Sequence, residues 1–261
     1  MSLFNISFAG AGRVAGALGH AFSSAGSKIV QVVSPSAERG KEMAGRYGAS
    51  WSDRLTFSDE TEIIIVAVPD HLLEEVAAGI ECSEETITVH TAGSYGLDVF
   101  PPKLRRTGVF YPLQTFTEGR IISFRELPVF IEASDSRSLE ILKSMAESLG
   151  AEAFMAGTER RRMLHLSAVF ICNFTNHMLH AGLGIVKKAG FSFEVLKPLL
   201  DETVRKAMEI GPAESQTGPA LRRDLNTIRS HLELLSYSPE LQKVYNDISE
   251  SIISMDKNIS G

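Results

Sequence analysis

Cysteine and clustered basic charge are both scarce in this chain of 261 residues. The two cysteines, Cys82 and Cys172, lie far apart and have no metal-ligand spacing, which argues against a zinc site and against a disulfide-held scaffold. The net charge is −6 and Lys and Arg form no long run. Bulk electrostatics therefore disfavour a nucleic-acid partner.

Two further absences concern targeting and membranes. The N-terminus lacks the basic-then-apolar order of a signal peptide, because Asn5 and Gly10 interrupt it early. No apolar run reaches the length that a bilayer span requires, so we expect no membrane contact. Together with the sparse cysteines, these absences predict a cytoplasmic protein.

The first half of the chain alternates between short apolar runs and helical patterns. Predicted strands span residues 3–9, 28–33, 62–68, 86–90, 109–111, 128–132 and 152–154. Predicted helices span residues 12–25, 36–47, 72–80 and 136–149. Strands that alternate with helices imply right-handed βαβ units and a mostly parallel sheet.

Strand patterns stop near Gly157, and long helical patterns replace them. These predicted helices span residues 158–189, 192–208 and 219–235, and a last one starts near residue 239. The sequence therefore predicts an α/β domain over residues 1–157, followed by an all-α domain over residues 158–261.

A glycine-bearing turn, FAGAGRVAG, joins the first predicted strand to the first predicted helix. Gly10 permits a tight turn, Gly12 leaves room for a pyrophosphate, and a small residue at Ala15 lets the helix lie close to the strand. The helix N-terminus offers free N–H groups to the phosphates. This context favours a dinucleotide site over a simple packing turn. The residues predicted to contact the cofactor here are Gly10, Ala11, Gly12, Arg13 and Val14.

The tip of the second strand indicates which dinucleotide binds. An NAD site expects an acidic residue about 20 residues after the turn, to hold the ribose hydroxyls. Here the strand ends in VVSPSAER, which offers Ser34, Ser36 and Arg39 and no acid at the tip. Hydroxyls and a guanidinium suit a 2′-phosphate, so we predict NADP(H), although Arg39 could be a solvated helix residue. The missing acid also weighs against an S-adenosylmethionine methyltransferase.

Two later strands end in abrupt loops, VAVPD and HTAGS. The carboxyl ends of parallel strands meet at one edge of a sheet, which is where ligands bind in such folds. We therefore expect both loops to line the path from the adenosine to the nicotinamide. The residues concerned are Ala67, Val68, Pro69, Thr91, Ala92 and Gly93.

The chain resembles a bacterial family of Rossmann-like proteins with a C-terminal domain of unknown function, and the resemblance covers nearly its whole length. It rests on the motifs above and on three later ones, YPLQTF, LHLSAVFICNFTNHM and TGPALRRDLNTIRSHLELL. More distantly, the layout is similar to pyrroline-5-carboxylate reductase, ketopantoate reductase and the β-hydroxyacid dehydrogenases. The resemblance implies an NADP-dependent oxidoreductase with a helical domain like the C-terminal domain of 6-phosphogluconate dehydrogenase. It also implies a homodimer formed through that domain. It supplies no substrate.

The long predicted helix departs from the β-hydroxyacid dehydrogenases, which carry a catalytic Lys with an Asn four residues later. Here the helix begins RRRMLH, so a lysine-based mechanism cannot be carried over. Polar residues nevertheless interrupt its apolar sequence. At ~100° per residue, Asn176 lies about 20° and Asn173 roughly 80° from His165.

Polar side chains on an apolar helix need partners if they are buried. We hypothesise that His165, as a general acid, and Asn173 lie beside the nicotinamide in an interdomain cleft. The alternative is a structural histidine paired with a backbone carbonyl. His177 and His180 are expected to be structural or to lie at a dimer interface.

A second constellation follows the TGPALRRD stretch. Asp224 and His231 are seven residues apart, which places them on one helix face, and Arg222 lies near the helix start. This group could bind an anionic substrate or relay a proton, or could be a capped helix with solvated charges. The substrate-binding candidates are Gln114, Asn176, Arg222, Asp224 and His231, and no metal site is predicted.

The function predicted from these residues is hydride transfer between NADP(H) and a small carbonyl, imine or hydroxy-acid-type substrate. The alternative is a non-catalytic NADP(H)-binding sensor or assembly protein, because no lysine or tyrosine acid is recognisable in the sequence.

Overall fold

The computed structural model describes residues 3–259, in which eight strands form one sheet. The strands are β1 Asn5–Ala9, β2 Lys28–Val33, β3 Ser50–Ser52, β4 Ile63–Val66, β5 Ile87–His90, β6 Arg106–Pro112, β7 Pro128–Ala133 and β8 Glu152–Met155. Their order is β3-β2-β1-β4-β5-β6-β7-β8, and the β6–β7 pair is antiparallel while the other pairs are parallel. The first six positions have the Rossmann order, so the predicted fold class is confirmed.

Nine α-helices accompany these strands within the described residues. They are α1 Arg13–Ser24, α2 Ala37–Tyr47, α3 Leu73–Gly79, α4 Ser136–Ser148, α5 Thr158–Ala168, α6 Thr175–Lys188, α7 Lys197–Ile210, α8 Leu225–Leu234 and α9 Pro239–Ile259. The predicted alternation of strands and helices is thus present. The short strand β3 has no counterpart among the predictions, because three residues carry too little periodicity to reveal it.

The sheet is buried on both faces, as its central strand shows. All four residues of β4 are buried. Ile63 and Ile65 pack into the cluster that includes α1 and α4 residues, whereas Ile64 and Val66 pack into the cluster that includes α3 residues. Alternate side chains of a strand point to opposite faces, which explains why an uninterrupted isoleucine run is required here.

The second half departs from the predicted helices in three places. The predicted helix over 158–189 is interrupted by a π-helical segment, Val169–Phe174, between α5 and α6. The predicted helix over 192–208 begins with a 3-10 turn, and Pro198 lies in the first turn of α7, where its missing N–H costs little. The predicted helix over 219–235 begins only at Leu225, after a run of turns.

The chain forms two compact units, one up to Asn173 and one from Phe174 onward. The first turns of α5 belong to the sheet unit because Arg161 is buried there and bonds to residues of that unit. The predicted domain boundary after residue 157 stays a prediction.

The helix that comprises α5, the π-helical segment and α6 corrects one expectation. This helix of 31 residues, Thr158–Lys188, has a mean hydropathy of 1.2 in its most apolar window, and none of that window is buried. By length and composition it could cross a membrane, so the expectation that no segment is long enough is wrong. Residues 163–186 of this helix contain no Asp, Glu, Lys or Arg, and their polar side chains are mostly Asn and His, which interrupt an apolar run without making it hydrophilic. One such helix is weak evidence of a membrane span.

Candidate active site

The glycine turn is pressed against the end of β4. Gly10 has a φ of +109°, and a Cβ on it would lie 2.4 Å from the carbonyl oxygen of Ala67. Its N–H donates to the carbonyl oxygen of Val33 at 2.8 Å. Only glycine combines this backbone conformation with this close approach. The turn is therefore fixed between the carboxyl ends of β2 and β4.

Gly12, in contrast, faces open space. It is the N-cap of α1, makes no side-chain capping bond, and has no atom within 4 Å of its Cβ position. No acidic residue lies in the first turn of α1. Free N–H groups beside open space at a helix N-terminus fit the pyrophosphate of a dinucleotide. The two glycines thus lie in different surroundings, one crowded and one open.

The predicted 2′-phosphate residues divide into two groups. The Ser34 hydroxyl accepts from the Ser36 N–H at 3.3 Å, and the Ser36 hydroxyl accepts from the Arg39 N–H at 3.4 Å, so the serines shape the start of α2. The Arg39 side chain is exposed. With Gly12 and Arg13, it lines a cavity of about 530 Å³. Both arginines therefore reach the space beside the glycine turn.

The remaining predicted cofactor positions lie along the same edge of the sheet. Ala67, Val68 and Pro69 follow β4, and residues 91–93 follow β5, which is the neighbouring parallel strand. The Thr91 N–H donates to the carbonyl oxygen of Val66 at 3.3 Å. The structure therefore brings the three predicted loops to one edge.

A buried histidine organises the loop after β5. His90 is fully buried, its Nδ1 accepts from the Ala92 N–H at 3.2 Å, and its Nε2 lies 3.1 Å from the carbonyl oxygen of Gly96. The ring must be neutral to accept at Nδ1 and donate at Nε2. Burial lowers the pKa of His90 to about 4, and the nearby charge of Arg161 also lowers it.

A buried arginine fastens the same loop to the start of α5. Arg161 is fully buried and donates to Glu132 Oε2 at 2.6 Å, to the Ala156 carbonyl at 3.0 Å, and to the Tyr95 carbonyl. Arg162 donates to the Ser94 carbonyl at 2.7 Å. In the sequence, the triple arginine resembles a solvated run of charge, and nothing in it distinguishes its buried member.

His165 lies one helical turn beyond Arg161 and packs directly on Gly93. A Cβ at Gly93 would lie 2.7 Å from His165 Nδ1. The Tyr111 hydroxyl lies 3.0 Å from the same nitrogen, and the two rings meet edge to face at 5.9 Å. The predicted catalytic histidine is therefore placed beside a predicted cofactor loop, with a tyrosine partner.

Tyr111 is the functional candidate that sequence reasoning missed. It lies on β6 within the quoted YPLQTF motif, from which Gln114 was chosen instead. Tyr111 is nearly fully buried, and burial raises the pKa of its hydroxyl. The Asp70 carboxylate raises this pKa further, while Arg161 lowers it. The hydroxyl therefore keeps its proton in the neutral range.

The other polar residues of the long helix differ from His165 in their exposure. Asn173, Asn176, His177 and His180 are all exposed. Asn173 lies in the π-helical segment, where i→i+5 bonding adds a residue to the turn. The angular positions predicted for Asn173 and Asn176 relative to His165 are therefore wrong, since a uniform α-helix does not cross this segment.

The remaining candidates already have local partners. Gln114 Oε1 accepts from the Thr115 N–H at 2.8 Å. Asp224 is the N-cap of α8 and accepts from the Thr227 N–H at 3.1 Å, and its bonds to Thr227 lower its pKa. His231 Nδ1 lies 2.8 Å from the Tyr245 hydroxyl. The alternative of a capped helix is thus what the structure shows for Asp224.

Arg222 is exposed in the turns that precede α8. Among the described residues, no group of three or more His, Cys, Asp or Glu could hold a metal ion, and both cysteines are free.

Comparison with known proteins places the whole chain among dinucleotide-dependent enzymes. The family model described as "NADP oxidoreductase coenzyme F420-dependent" matches residues 5–93, and that of a domain of unknown function (DUF2520) matches residues 127–252. A proposed NADP oxidoreductase from Bacteroides fragilis is 39% identical, with a TM-score of 0.88 over 96% of this chain and 98% of that one. The predicted resemblance is confirmed.

More distant structures share the fold alone. A protein from Thermotoga maritima is 21% identical, with a TM-score of 0.78 over 97% of this chain and 99% of that one. A reductive aminase from Aspergillus terreus, solved with NADPH and ethyl-5-oxohexanoate, is 12% identical, with a TM-score of 0.71 over 98% of this chain and 95% of that one. Curated protein sequences gave no match.

The two glycines of the turn should respond differently to alanine. Gly10→Ala should lower the free energy of unfolding by about 2 kcal/mol or more, because the new Cβ meets the Ala67 carbonyl in a left-handed backbone. Gly12→Ala should change it by less than about 0.5 kcal/mol but weaken dinucleotide binding by roughly 10-fold, because its methyl group enters the pyrophosphate space. Urea unfolding and a binding titration measure both effects. Equal losses of stability in the two variants would contradict this account.

His90 should make stability depend on pH. The pKa is about 4 in the folded protein and near 6.5 when unfolded, so the unfolded state takes up the proton first as the pH falls. His90 therefore contributes about 3 kcal/mol to the free energy of unfolding above pH 6.5, and this contribution is lost as the pH falls to about 4. His90→Gln removes the titrating ring but retains one donor and one acceptor, so it should lose less stability across this range in urea unfolding. The exposed His71→Asn variant is the control, and parallel curves for His90→Gln and wild type would refute the assignment.

Proposed function

We propose that this chain, which belongs to the family of NADP oxidoreductases with a C-terminal DUF2520 domain, reduces a C=O or C=N carbon at the carboxyl edge of its sheet. The observation that carries the proposal is the hydrogen bond between Tyr111 and His165 beside Gly93. This pair supports a proton source at the edge where the glycine turn lies. The Bacteroides relative, named for NADP, supports the same class of reaction.

The residues present fit NADP(H). Gly12 and the first N–H groups of α1 would hold the pyrophosphate, because the space above Gly12 is open. Arg13 and Arg39 line the adjoining cavity, and Arg39 would hold the 2′-phosphate with the hydroxyls of Ser34 and Ser36. When bound, NADPH supplies the hydride that the electrophilic carbon of the substrate accepts.

His165 supplies the proton in this proposal. In its charged form, Nδ1–H donates to the Tyr111 oxygen and Nε2–H is the proton passed to the substrate oxygen or nitrogen. The neutral ring that remains recovers a proton from solvent. A histidine suits this task because its ordinary pKa lies near the working pH.

Tyr111 holds the ring of His165 in one orientation through both charge states. A hydroxyl can accept from Nδ1–H of the charged ring and donate to Nδ1 of the neutral ring. The raised pKa of Tyr111 keeps the hydroxyl protonated, so it can make both hydrogen bonds. Gly93 permits the close approach of the ring to the loop.

The substrate class is a small carbonyl or imine. The reductive aminase with the same fold was solved with NADPH and a keto ester, which guides the choice of test compounds. In this chain, protonation of a heteroatom by His165 suits either an alcohol or an amine product.

The second compact unit supports a homodimer as the assembled form. An unusual number of large apolar side chains are exposed on it, and apolar surface on this scale marks an interaction site. These side chains are Phe174, Ile185, Phe191, Val195, Leu199, Val204, Met208, Ile210, Leu225, Leu234, Tyr237, Ile248 and Met255. We infer that a second copy of the chain covers them, because subunit interfaces of homodimers are richer in apolar area than other surfaces.

Turnover should depend on the Tyr111–His165 pair. With a panel of ketones, aldehydes and cyclic imines, His165→Asn should lower kcat/KM for NADPH oxidation by about 10²–10⁴-fold, and Tyr111→Phe by less, because the proton donor or its orientation is lost. The Kd for NADPH should change far less than kcat/KM in both variants, since neither residue lines the cavity beside the glycine turn.

The His231–Tyr245 pair provides a comparison with the same chemistry on the helical unit. Loss of turnover in His231→Asn with full turnover in His165→Asn would move the reacting centre there and overturn the proposal. NADPH binding without turnover by the wild-type protein on the whole panel would favour a sensor.

Charged substitutions on α7 should break the proposed dimer. Met208 is 84% and Leu199 is 64% exposed, and the double variant Leu199→Glu/Met208→Glu should sediment as a monomer, because burying two carboxylates in an apolar interface is costly. Leu3→Glu, on an exposed residue of the sheet unit, is the control and should remain dimeric. A monomeric wild type, or a wild type extracted from cells only with detergent, would contradict the dimer.

A further inference from the structure

The cavity beside the glycine turn has a second wall, to which sequence reasoning gave no role. Residues 117–122, in the loop that joins β6 to β7, line it together with residues of α1 and α2. From Gly12, the lining continues along α1 to His20 and along α2 to Arg46. The cavity therefore extends from the pyrophosphate position toward the side where the adenosine half of the cofactor would lie.

The lining part of this loop is held in place from both sides. The rings of Phe116 and Phe124 stack at 6.2 Å, and Phe124 is buried. Between them, the Arg120 N–H donates to the Thr117 carbonyl at 3.2 Å, and Gly119 has a φ of +76°, which a tight turn of this kind requires. The loop thus presents Arg120 from an anchored turn rather than from a free tip.

The charges that line the cavity are unbalanced. Arg46 is paired with Glu42. Arg13, Arg39 and Arg120 form no ion pair within the described residues. Apart from Glu42, Glu118 is the acidic residue of the lining. Three guanidinium groups around one cavity repel each other unless an anion lies between them.

We propose that Arg120 is a specificity-determining residue, which binds the 2′-phosphate of NADP(H) together with Arg39 from the opposite wall. The proposal rests on the proposed function, since it assumes that the dinucleotide binds at the glycine turn. Arg39 and Arg120 come from α2 and from the β6–β7 loop, so a phosphate between them receives two planar donor groups from different elements. The α1 N-terminus then serves the pyrophosphate, and the two arginines read the phosphate that distinguishes NADP from NAD.

Glu118 has the opposite effect in this arrangement. Its carboxylate shares the lining with Arg120 and has no basic partner among the described side chains. A negative charge there repels the doubly charged 2′-phosphate, so its removal should favour NADPH over NADH. Substitutions of Arg120 and Glu118, which lie in one turn, should therefore change the affinity for NADPH in opposite directions.

The test is calorimetric titration of the full chain with NADPH and NADH. Arg120→Gln and Arg39→Ala should each raise the Kd for NADPH by about 10-fold, because each removes a charge-assisted pair with the 2′-phosphate. Neither variant should change the Kd for NADH. Arg120→Lys should retain part of the preference, since it keeps the charge without the planar fork. Glu118→Gln should lower the Kd for NADPH by roughly 2–5-fold. Arg125→Gln, an exposed arginine of the same loop outside the cavity lining, is the control.

Each outcome separates this inference from the proposed function. An unchanged NADPH preference in Arg120→Gln, with the preference lost in Arg39→Ala, overturns the role of Arg120 and leaves the reductase intact. Equal weakening of NADPH and NADH by Arg120→Gln also overturns it, since the contact would then be to a group that both share. A wild-type protein that binds neither dinucleotide overturns the proposed function itself.

Discussion

The buried guanidinium of Arg161 is the interaction on which the candidate active site depends. Removing a guanidinium from water is costly, and the cost is recovered only when the charge is paired and its donors are used. The two terminal nitrogens of Arg161 meet most of this demand, because they bond to Glu132 on β7, to the Ala156 carbonyl and to the Tyr95 carbonyl in the loop after β5, while its Nε–H has no partner. One side chain thus joins the antiparallel strand β7, the loop that carries Gly93, and the start of α5.

The position of His165 follows from this anchor. His165 lies four residues after Arg161 on α5, so the two side chains are on one face of the helix. With Arg161 fixed, the ring of His165 is held over Gly93 and within 3.0 Å of the Tyr111 hydroxyl. The same guanidinium lowers the pKa of both His90 and Tyr111. A neutral His90 keeps the loop closed through its bonds to Ala92 and Gly96. Arg161 therefore influences both the side-chain packing and the pKa values at this edge of the sheet.

The parts of the fold that the sequence predicted are those with local signals. The isoleucine run of β4 and the spacing of Gly10 and Gly12 each need only neighbouring residues to be recognised. The Tyr111–His165 contact joins residues 54 positions apart, and no periodicity reveals which tyrosine meets which histidine. The π-helical segment at 169–174 was equally hidden, because its residues fit an α-helix as well. Nothing in the sequence distinguishes the buried Arg161 from its neighbours Arg160 and Arg162.

The central claim is that Tyr111 fixes the ring of His165 beside the bound nicotinamide. The most direct measurement is the ¹⁵N NMR spectrum of the protein labelled at histidine, in the presence and absence of NADPH. The account predicts that Nδ1 of His165 shares a hydrogen bond with the Tyr111 hydroxyl, and that the His165 resonances move when NADPH binds. It also predicts that Tyr111→Phe abolishes the Nδ1 hydrogen-bond shift. A His165 ring with no fixed tautomer, and with resonances that NADPH leaves in place, would contradict the account.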